Sequence, residues 1–158
     1  IKKKYPLVKF QIVGILDKDN LSYISKKQIK TWVDEKIIEY FEQTDDIRDY
    51  IIESDCAILP SYREGLPRFL LEVAAIGRPI ICTNVPGCRQ VVKDKHNGLL
   101  CLPRNVESLS NTIEEFINLT FSEIKKMGIN GRKTVENYFD QRKVNDLYLK
   151  TINSIFLS

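Results

Sequence analysis

With 158 residues, of which 43% are hydrophobic and 28% charged, the chain has the length and composition of a single globular domain. No segment approaches the roughly 18 uninterrupted apolar residues of a membrane span, and a net charge of +3 with 24 scattered Lys and Arg residues does not indicate nucleic-acid binding. The 4 cysteines form no C-x-x-C pair and there is 1 histidine, which argues against a structural zinc site and favours free thiols in a reducing cytoplasm.

The first half of the chain alternates short apolar runs with stretches of helical period, the order typical of an α/β fold. Its predicted elements are a strand over 8–13, a helix over 25–36, a strand over 37–41, a helix ending at 53 and a strand over 56–59. Ser25 and Gln28 are spaced as a capping box for the first helix. Asp45 or Asp46 is predicted to cap the second helix.

The second half continues the alternation and then becomes helical. Its predicted elements are a helix over 67–76, a strand over 80–83, a short helix over 87–92, a strand over 99–102 and helices over 106–119, 122–137 and 141–156. Pro67 suits the first turn of its helix, and Gly77 lies where a left-handed C-terminal cap is expected. Two apolar stripes are predicted to pack in the core, namely Ile113, Phe116 and Ile117, and Leu147, Leu149 and Ile152.

The alternation of strands and helices predicts parallel neighbouring strands, because parallel strands need a helical crossover. We therefore expect an α/β fold with a Rossmann-like doubly wound parallel sheet, ending in C-terminal helices. In such sheets ligands bind beyond the carboxyl ends of the strands. The loops after Leu59 and Thr83 are thus the predicted places for a ligand site.

The loop after the third predicted strand reads SYREGLPRFLLE over residues 61–72 and carries two acids, Glu64 and Glu72. Their spacing alone is weak evidence, since such a pair arises easily by chance. Gly65 allows the backbone to approach a ligand closely, and Pro67 begins a helix whose free N–H groups can bind a phosphate. Acids on both sides of that helix N-terminus can accept hydrogen bonds from sugar hydroxyls. The arrangement predicts a nucleotide-sugar site.

On these residues, and more loosely over the whole chain, the sequence resembles the C-terminal domain of the retaining glycosyltransferases of family 4. Glu64 and Glu72 match that family's E-x7-E element, and GRPI at 77–80 and NGL at 97–99 match its usual continuation. Members of that family have the two-domain GT-B fold. The resemblance therefore implies that this chain is the C-terminal, donor-binding half of such a fold.

The segments PSYREG at 60–65 and VPGCR at 85–89 are similar to the bacterial branch that extends undecaprenyl-diphosphate-linked saccharides. That similarity implies transfer of a hexose or N-acetylhexosamine from a UDP-sugar to a lipid-diphosphate-linked saccharide acceptor, as in O-antigen, capsule or glycan assembly. The matched motif contains no obvious nucleophile, which favours front-face substitution. We expect no metal cofactor, no nucleic-acid partner and a cytoplasmic location, with peripheral association at the inner face of the membrane left open.

The resemblance also implies roles for individual residues. Glu64 would be the catalytic residue that touches the transferred sugar, and Glu72 would bind the ribose of the donor. The other implied donor-binding residues are Arg63, Gly65, Leu66, Pro67 and Arg68. The implied base-binding region is that of Tyr40, Phe41 and Thr44. At position 42 the family often has glycine where this chain has glutamate. For each arginine, a surface or interdomain salt bridge is the alternative role and the more common one for such residues.

The sequence allows several alternatives to the donor-site interpretation. The triplet Asp17-Lys18-Asp19 resembles a metal-binding D-x-D motif, but one such triplet is expected by chance in a chain with 10 aspartates, and we reject it. A non-catalytic doubly wound regulatory or interaction module, and the donor subunit of a two-chain transferase, remain alternatives. A sugar-nucleotide epimerase is a weaker one. A receiver domain is disfavoured, because the strand at 56–59 is not followed by an acid.

The chain begins with Ile1 followed by three lysines and lacks an initiator methionine. The family places an arginine and a lysine, which grip the diphosphate, on a first strand and helix, and no matching element precedes Val8. We therefore expect the acceptor-binding N-terminal domain to be absent as well. A chain of this kind is predicted to fold, to bind a uridine nucleotide weakly and to transfer nothing by itself.

Overall fold

The computed structural model of the chain describes residues 1–17 and 23–156. Its elements in chain order are β1 (Gln11–Val13), α1 (Lys26–Asp34), β2 (Glu39–Phe41), α2 (Arg48–Glu53), β3 (Ala57–Leu59), α3 (Arg68–Ile76), β4 (Ile80–Thr83), α4 (Pro86–Val91), β5 (Gly98–Cys101), α5 (Val106–Ile117), α6 (Phe121–Tyr138) and α7 (Gln141–Phe156). Every predicted helix and strand is therefore present in the predicted order, and the alternation of elements is confirmed.

The chain divides into two compact units, Ile1–Asp49 and Tyr50–Ser158. The first unit contains a two-stranded parallel sheet in which β1 pairs with β2, and the second contains a three-stranded parallel sheet in the order β3-β4-β5. The α/β class with parallel strands is confirmed. A single sheet was expected, but the hydrogen bonds between strands define two. In the described residues, every pair of hydrogen-bonded strands lies within one unit.

The core of the second unit is built around β4, whose four residues are all buried. A continuous apolar run of this kind is typical of a parallel strand that is covered on both faces. Helix α3 contributes Leu70, Val73 and Ala74, each with no exposed surface, and β5 contributes Leu99. These side chains hold the carboxyl ends of β3, β4 and β5 at one edge of the sheet.

Helices α3 and α6 pack closely because glycines stand at their crossing. Gly77 ends α3 in the left-handed conformation, with φ of 86°, as predicted, and its N–H donates to the carbonyl oxygens of Val73 and Ala74. A Cβ added to Gly128 of α6 would stand 2.0 Å from the carbonyl oxygen of Gly77. Only glycine at position 128 permits this approach.

Two local predictions are corrected in detail. Pro67 is the N-cap of α3, with extended ψ of 108°, and the helix begins at Arg68, one residue later than predicted. Residues 8–10 lie outside β1, which starts at Gln11. Ser25 caps α1 as predicted, since its Oγ accepts a hydrogen bond from the N–H of Gln28 at 3.1 Å.

The stripe on α5 is confirmed as core, but the stripe on α7 is not. Ile113 and Phe116 are buried and Ile117 is half-buried, whereas Leu147, Leu149 and Ile152 are 66%, 58% and 47% exposed. The prediction for α7 was wrong because helical periodicity shows only that a helix has an apolar face. Whether that face is buried depends on what packs against it.

Candidate functional site

The predicted donor segment connects the end of β3 to the start of α3 at the carboxyl edge of the three-stranded sheet. Within it, Glu64 is half-buried, Gly65 and Leu66 are exposed, and Pro67 is buried. Glu72 lies in the second turn of α3 and is half-buried. The structure thus places both glutamates on neighbouring parts of the second unit, at the edge where ligands of parallel sheets bind.

Two contacts fix the position of this loop. The Thr83 hydroxyl at the end of β4 donates a hydrogen bond to the carbonyl oxygen of Ser61. Gly87, in the first turn of α4, lies so close to the loop that an added Cβ would stand 2.0 Å from the carbonyl oxygen of Gly65 and 2.5 Å from that of Glu64. The loop is therefore held from two elements that follow it in the chain.

The fold itself does not require glycine at position 65. Its φ is not positive, and an added Cβ would meet no atom within 4 Å. The space in front of Gly65 is open, which is the condition under which a ligand can approach the backbone closely. At position 87, in contrast, close packing does require glycine. No role for Gly87 was predicted from the sequence.

Four charged side chains in this segment form neither a hydrogen bond nor an ion pair with any other group in residues 1–17 and 23–156. They are Glu64, Glu72, Arg63 and Arg68. Both arginines are exposed. A surface salt bridge, one of the two alternative roles for each arginine, is absent from the described part of the chain. All four groups are therefore available to bind a ligand.

The N-terminus of α3 is also available. No side chain caps it, since its N-cap residue is Pro67. Leu70 N–H and Leu71 N–H point back to the Pro67 carbonyl oxygen at 3.0 and 3.4 Å. The uncapped first turn carries the partial positive charge of the helix dipole, which favours an anion. This geometry agrees with the prediction that the N–H groups at the start of this helix can bind a phosphate.

A buried thiol lies beneath the loop. Burial raises the pKa of Cys88, and the negative charge of Glu64 raises it further. The interaction shows that the Glu64 carboxylate is within electrostatic reach of α4. Burial likewise raises the pKa of Cys82 and Cys101, and that of Cys56 to about 12. All four thiols are free and stay protonated at neutral pH.

The predicted base-binding region lies in the first unit and is locally hydrogen-bonded. The Tyr40 hydroxyl donates to the carbonyl oxygen of Gly14 at 2.7 Å. The Thr44 hydroxyl donates to the Asp46 carbonyl oxygen at 2.8 Å and accepts from the Asp46 N–H at 3.1 Å. Phe41 is half-buried. These contacts give Tyr40 and Thr44 a structural role, and their contact with a base stays a prediction.

Two further charged residues, Glu42 and Arg89, have partners within the chain. Glu42, which stands where the family often has glycine, forms an exposed ion pair with Lys26 at 3.6 Å. Arg89, the last residue of the VPGCR segment, lies in α4, and its guanidinium donates to the Asn84 carbonyl oxygen at 3.1 Å and to Asn84 Oδ1 at 2.9 Å. Of the rejected D-x-D triplet, positions 18 and 19 lie outside the described residues.

Neither a metal cluster nor a membrane span is found in what the structure describes. Over residues 1–17 and 23–156, no three His, Cys, Asp or Glu side chains are grouped so that they could hold a metal ion. Over the same residues, no helix combines the length and the hydropathy that crossing a membrane requires.

Comparison with known protein families decides the assignment. The family described as glycosyl transferases group 1 matches residues 1–134. The chain belongs to this family. The group 1 transferase chain is 35% identical over 121 residues to an uncharacterized glycosyltransferase of Haemophilus influenzae, a match that covers 75% of this chain and 33% of that protein. The resemblance drawn from the Glu64–Glu72 segment is confirmed.

A second relative of the group 1 transferase chain has a more specific name. It is the N,N'-diacetylbacillosaminyl-diphospho-undecaprenol alpha-1,3-N-acetylgalactosaminyltransferase of Campylobacter jejuni, 26% identical over 121 residues, which are 75% of this chain and 31% of that protein. The chain thus spans about a third of the length of these curated relatives.

Solved structures confirm the fold. The chain superposes on Anabaena HepE, crystallised in complex with UDP, with a TM-score of 0.83 and 22% identity, over 94% of this chain and 42% of that one. It also superposes on the C-terminal domain of the group 1 glycosyl transferase LpcC from Francisella tularensis, with a TM-score of 0.73 and 22% identity, over 87% of this chain and 73% of that one. At this identity the comparison establishes the Rossmann-like fold.

Proposed function

We propose that this group 1 transferase chain binds the donor of a retaining glycosyltransferase, which transfers a hexose or N-acetylhexosamine from a UDP-sugar to a lipid-diphosphate-linked saccharide. The observation that carries the proposal is the pair Glu64 and Glu72, both without partners in the described chain, on either side of the uncapped N-terminus of α3. The names of the Campylobacter relative and of the UDP-bound Anabaena structure support the choice of acceptor and nucleotide.

In this proposal each group has a distinct task. Glu64 accepts hydrogen bonds from hydroxyls of the transferred sugar, and Glu72 accepts them from the ribose. The amides from Gly65 to Phe69 face the diphosphate, and the exposed guanidinium groups of Arg63 and Arg68 add positive charge. The loop is preorganised by Thr83 and Gly87, so little rearrangement is needed when the donor binds.

The proposed chemical step is front-face substitution. The bond between the anomeric carbon and the diphosphate oxygen breaks, and the electron pair leaves with the diphosphate. The acceptor hydroxyl oxygen enters on the same side, and its proton passes to the departing diphosphate oxygen, so configuration is retained. The uncapped amides of α3 and the two arginines stabilise the charge that develops on the diphosphate. The proposal requires no metal ion.

The proposal includes a place in the cell. A lipid-linked acceptor would be met at the inner face of the cytoplasmic membrane, and the enzyme would be a cytoplasmic protein in peripheral contact with that face. The acceptor and the whole reaction are proposed for a full-length enzyme, since the matched part of this chain covers 33% of the Haemophilus relative. The donor site is the part proposed for this chain.

Donor binding is tested directly with UDP. We expect amide shifts of residues 64–72 when UDP is titrated to millimolar concentration into the isotope-labelled chain. In the complete enzyme, Glu72→Gln should weaken donor binding and Glu64→Gln should lower turnover, whereas Glu107→Gln, an exposed acid in the first turn of α5, should change neither. Wild-type behaviour of both Glu64→Gln and Glu72→Gln, or no shifts in the segment, would contradict the proposal.

A further inference from the structure

A cavity of about 150 Å³ lies at the carboxyl ends of β3, β4 and β5. Its lining residues are Pro60, Tyr62, Thr83, Cys101, Leu102, Arg104, Asn105, Val106 and Leu109. Typical ligand pockets begin at about 300 Å³, so this cavity has room for one small ring rather than for a nucleotide. None of the lining side chains is acidic, and Arg104 is the cation among them.

Arg104 is held over an aromatic ring at the mouth of this cavity. Its guanidinium carbon lies 5.2 Å from the centroid of the Tyr62 ring. Its φ is 57°, in the left-handed region, which non-glycine residues rarely adopt. The backbone strain and the ring contact together position this cation over the cavity.

The rim of the cavity is apolar and accessible. Tyr62, Leu102 and Val106 are 61%, 56% and 85% exposed. Exposed large apolar groups beside a cation and neutral polar groups are typical of a site that binds an amphipathic ligand. A pyranose ring has this character, because one face presents C–H groups to an aromatic ring while its hydroxyls accept hydrogen bonds from a guanidinium.

Asn105 keeps hydrogen-bonding capacity in the cavity. It uses its Oδ1 to cap α5, accepting from the Ser108 N–H at 2.8 Å, which leaves its side-chain amide donors. Thr83 is 3% exposed and donates its hydroxyl proton to Ser61, so it lines the cavity without a free donor. Asn105 and Arg104 are therefore the side chains that can donate hydrogen bonds to the hydroxyl groups of a ligand.

The cavity and the donor segment share a strand. Tyr62 and Glu64 follow β3 in the same loop, and the cavity extends from there across the ends of β4 and β5. Adjacent strands are about 4.8 Å apart, so the far side of the cavity lies about 10 Å along the sheet edge from that loop. A ligand in the cavity would therefore lie beside the sugar that Glu64 is proposed to hold.

We propose that the Tyr62–Arg104 cavity binds a sugar ring of the saccharide acceptor. This inference rests on the proposed function, because it assigns to the second substrate a site next to the donor. It adds an acceptor contact on this chain, and it makes Tyr62 and Arg104 residues that determine which acceptor is used. Arg104 donates to the ring hydroxyls, and Tyr62 packs against the apolar face of the ring.

The test is a titration of the isotope-labelled chain with methyl α-glucoside and with methyl N-acetyl-α-glucosaminide at tens of millimolar, with and without saturating UDP. We expect shifts of the Tyr62 ring and the Arg104 side chain that persist when UDP is bound. UDP shifts at 64–72 without any sugar shifts at the cavity would overturn the inference and leave the proposed function standing. Sugar shifts at the cavity without UDP shifts would refute the proposed donor site alone.

Matched variants distinguish the effect of losing the Arg104 guanidinium from the effect of relieving a left-handed backbone conformation. Arg104→Gly removes the cation at a position where glycine is unstrained, and Lys95→Gly makes the same change at φ of 58° outside the cavity. We expect Arg104→Gly and Tyr62→Ala to weaken glycoside binding about tenfold, with UDP shifts unchanged, and Lys95→Gly to bind as wild type. Unchanged glycoside affinity in Arg104→Gly would overturn the assignment.

A final arm uses inorganic phosphate, since a lone cation also attracts anions. Phosphate shifts at Arg104 in the absence of glycoside shifts would replace the sugar site by an anion site and overturn the inference. Glycoside shifts at the cavity that persist when phosphate is added would support the inference.

Discussion

Gly87 of α4 lies against the backbone of Gly65, such that a Cβ on Gly87 would stand 2.0 Å from the Gly65 carbonyl oxygen. The two glycines are 22 positions apart and have opposite surroundings, because an added Cβ at Gly65 would meet nothing within 4 Å. One glycine is needed for packing within the protein, and the other leaves open space in front of the loop. The shape of the candidate donor site depends on both.

Gly87→Ala should therefore displace the loop or destabilise the fold. An extra methyl group against a backbone carbonyl is overpacking, which typically lowers the free energy of unfolding by about 1–3 kcal/mol. Urea unfolding followed by circular dichroism measures the change. Gly65→Ala is the matched control and should leave the free energy of unfolding nearly unchanged. Equal stability of Gly87→Ala and wild type would show that the loop accommodates the methyl group.

Thr83→Val should loosen the start of the donor loop. The substitution keeps the shape of the buried Thr83 side chain but removes the hydroxyl that donates to the carbonyl oxygen of the half-buried Ser61. A hydrogen bond of this kind contributes about 0.5–1.5 kcal/mol to stability. Thr83→Ser keeps that hydrogen bond. We expect faster amide exchange in residues 61–66 for Thr83→Val than for Thr83→Ser, and identical exchange in the two variants would contradict the role.

The four thiols should be unreactive in the folded protein. With a pKa of about 12, only roughly 1 in 10,000 molecules carries a Cys56 thiolate at pH 8, and burial also raises the pKa of Cys82, Cys88 and Cys101. Ellman's reagent should modify all four only after unfolding. Rapid modification of the native chain would contradict the raised pKa values of these thiols.

The same thiols make stability depend on alkaline pH. Their ordinary pKa is 9.0, so the unfolded chain releases these protons near pH 9 while the folded chain retains them. A group whose pKa is raised by folding contributes stability below its unfolded pKa and loses it above. We expect the free energy of unfolding to fall as pH rises from about 9 towards 12.

Asp46 should titrate at unusually low pH. Hydrogen bonds from the Arg48 side chain and backbone lower its pKa from 3.8 to about 2. The carboxyl carbon shift of Asp46, followed by NMR, should therefore have its midpoint near that value, and Arg48→Ala should move it back towards 3.8. Because the pKa is lowered in the fold, the stabilising effect is present above pH 3.8 and is lost as the pH falls towards 2.

The sequence alone predicted the order of helices and strands and, within a few residues, their ends. Period and local capping carry that information, as in the buried strand Ile80–Thr83 and the left-handed cap at Gly77. The E-x7-E element of Glu64 and Glu72, taken with GRPI at 77–80 and NGL at 97–99, was enough to identify the family. Local chemistry did not decide where Pro67 stands in its helix, since proline is acceptable at either position.

Only the tertiary structure showed which residues hold the site and which apolar faces are covered. The contacts of Gly87 with residues 64 and 65, of Thr83 with Ser61 and of Arg104 with Tyr62 join positions about 20 to 40 apart. Each arises because the strands of one parallel sheet bring their following loops to the same edge. The stripe on α7 has the period of a core helix and is exposed. Periodicity and capping are properties of a few consecutive residues, whereas a close approach or a covered surface depends on what the rest of the chain places opposite.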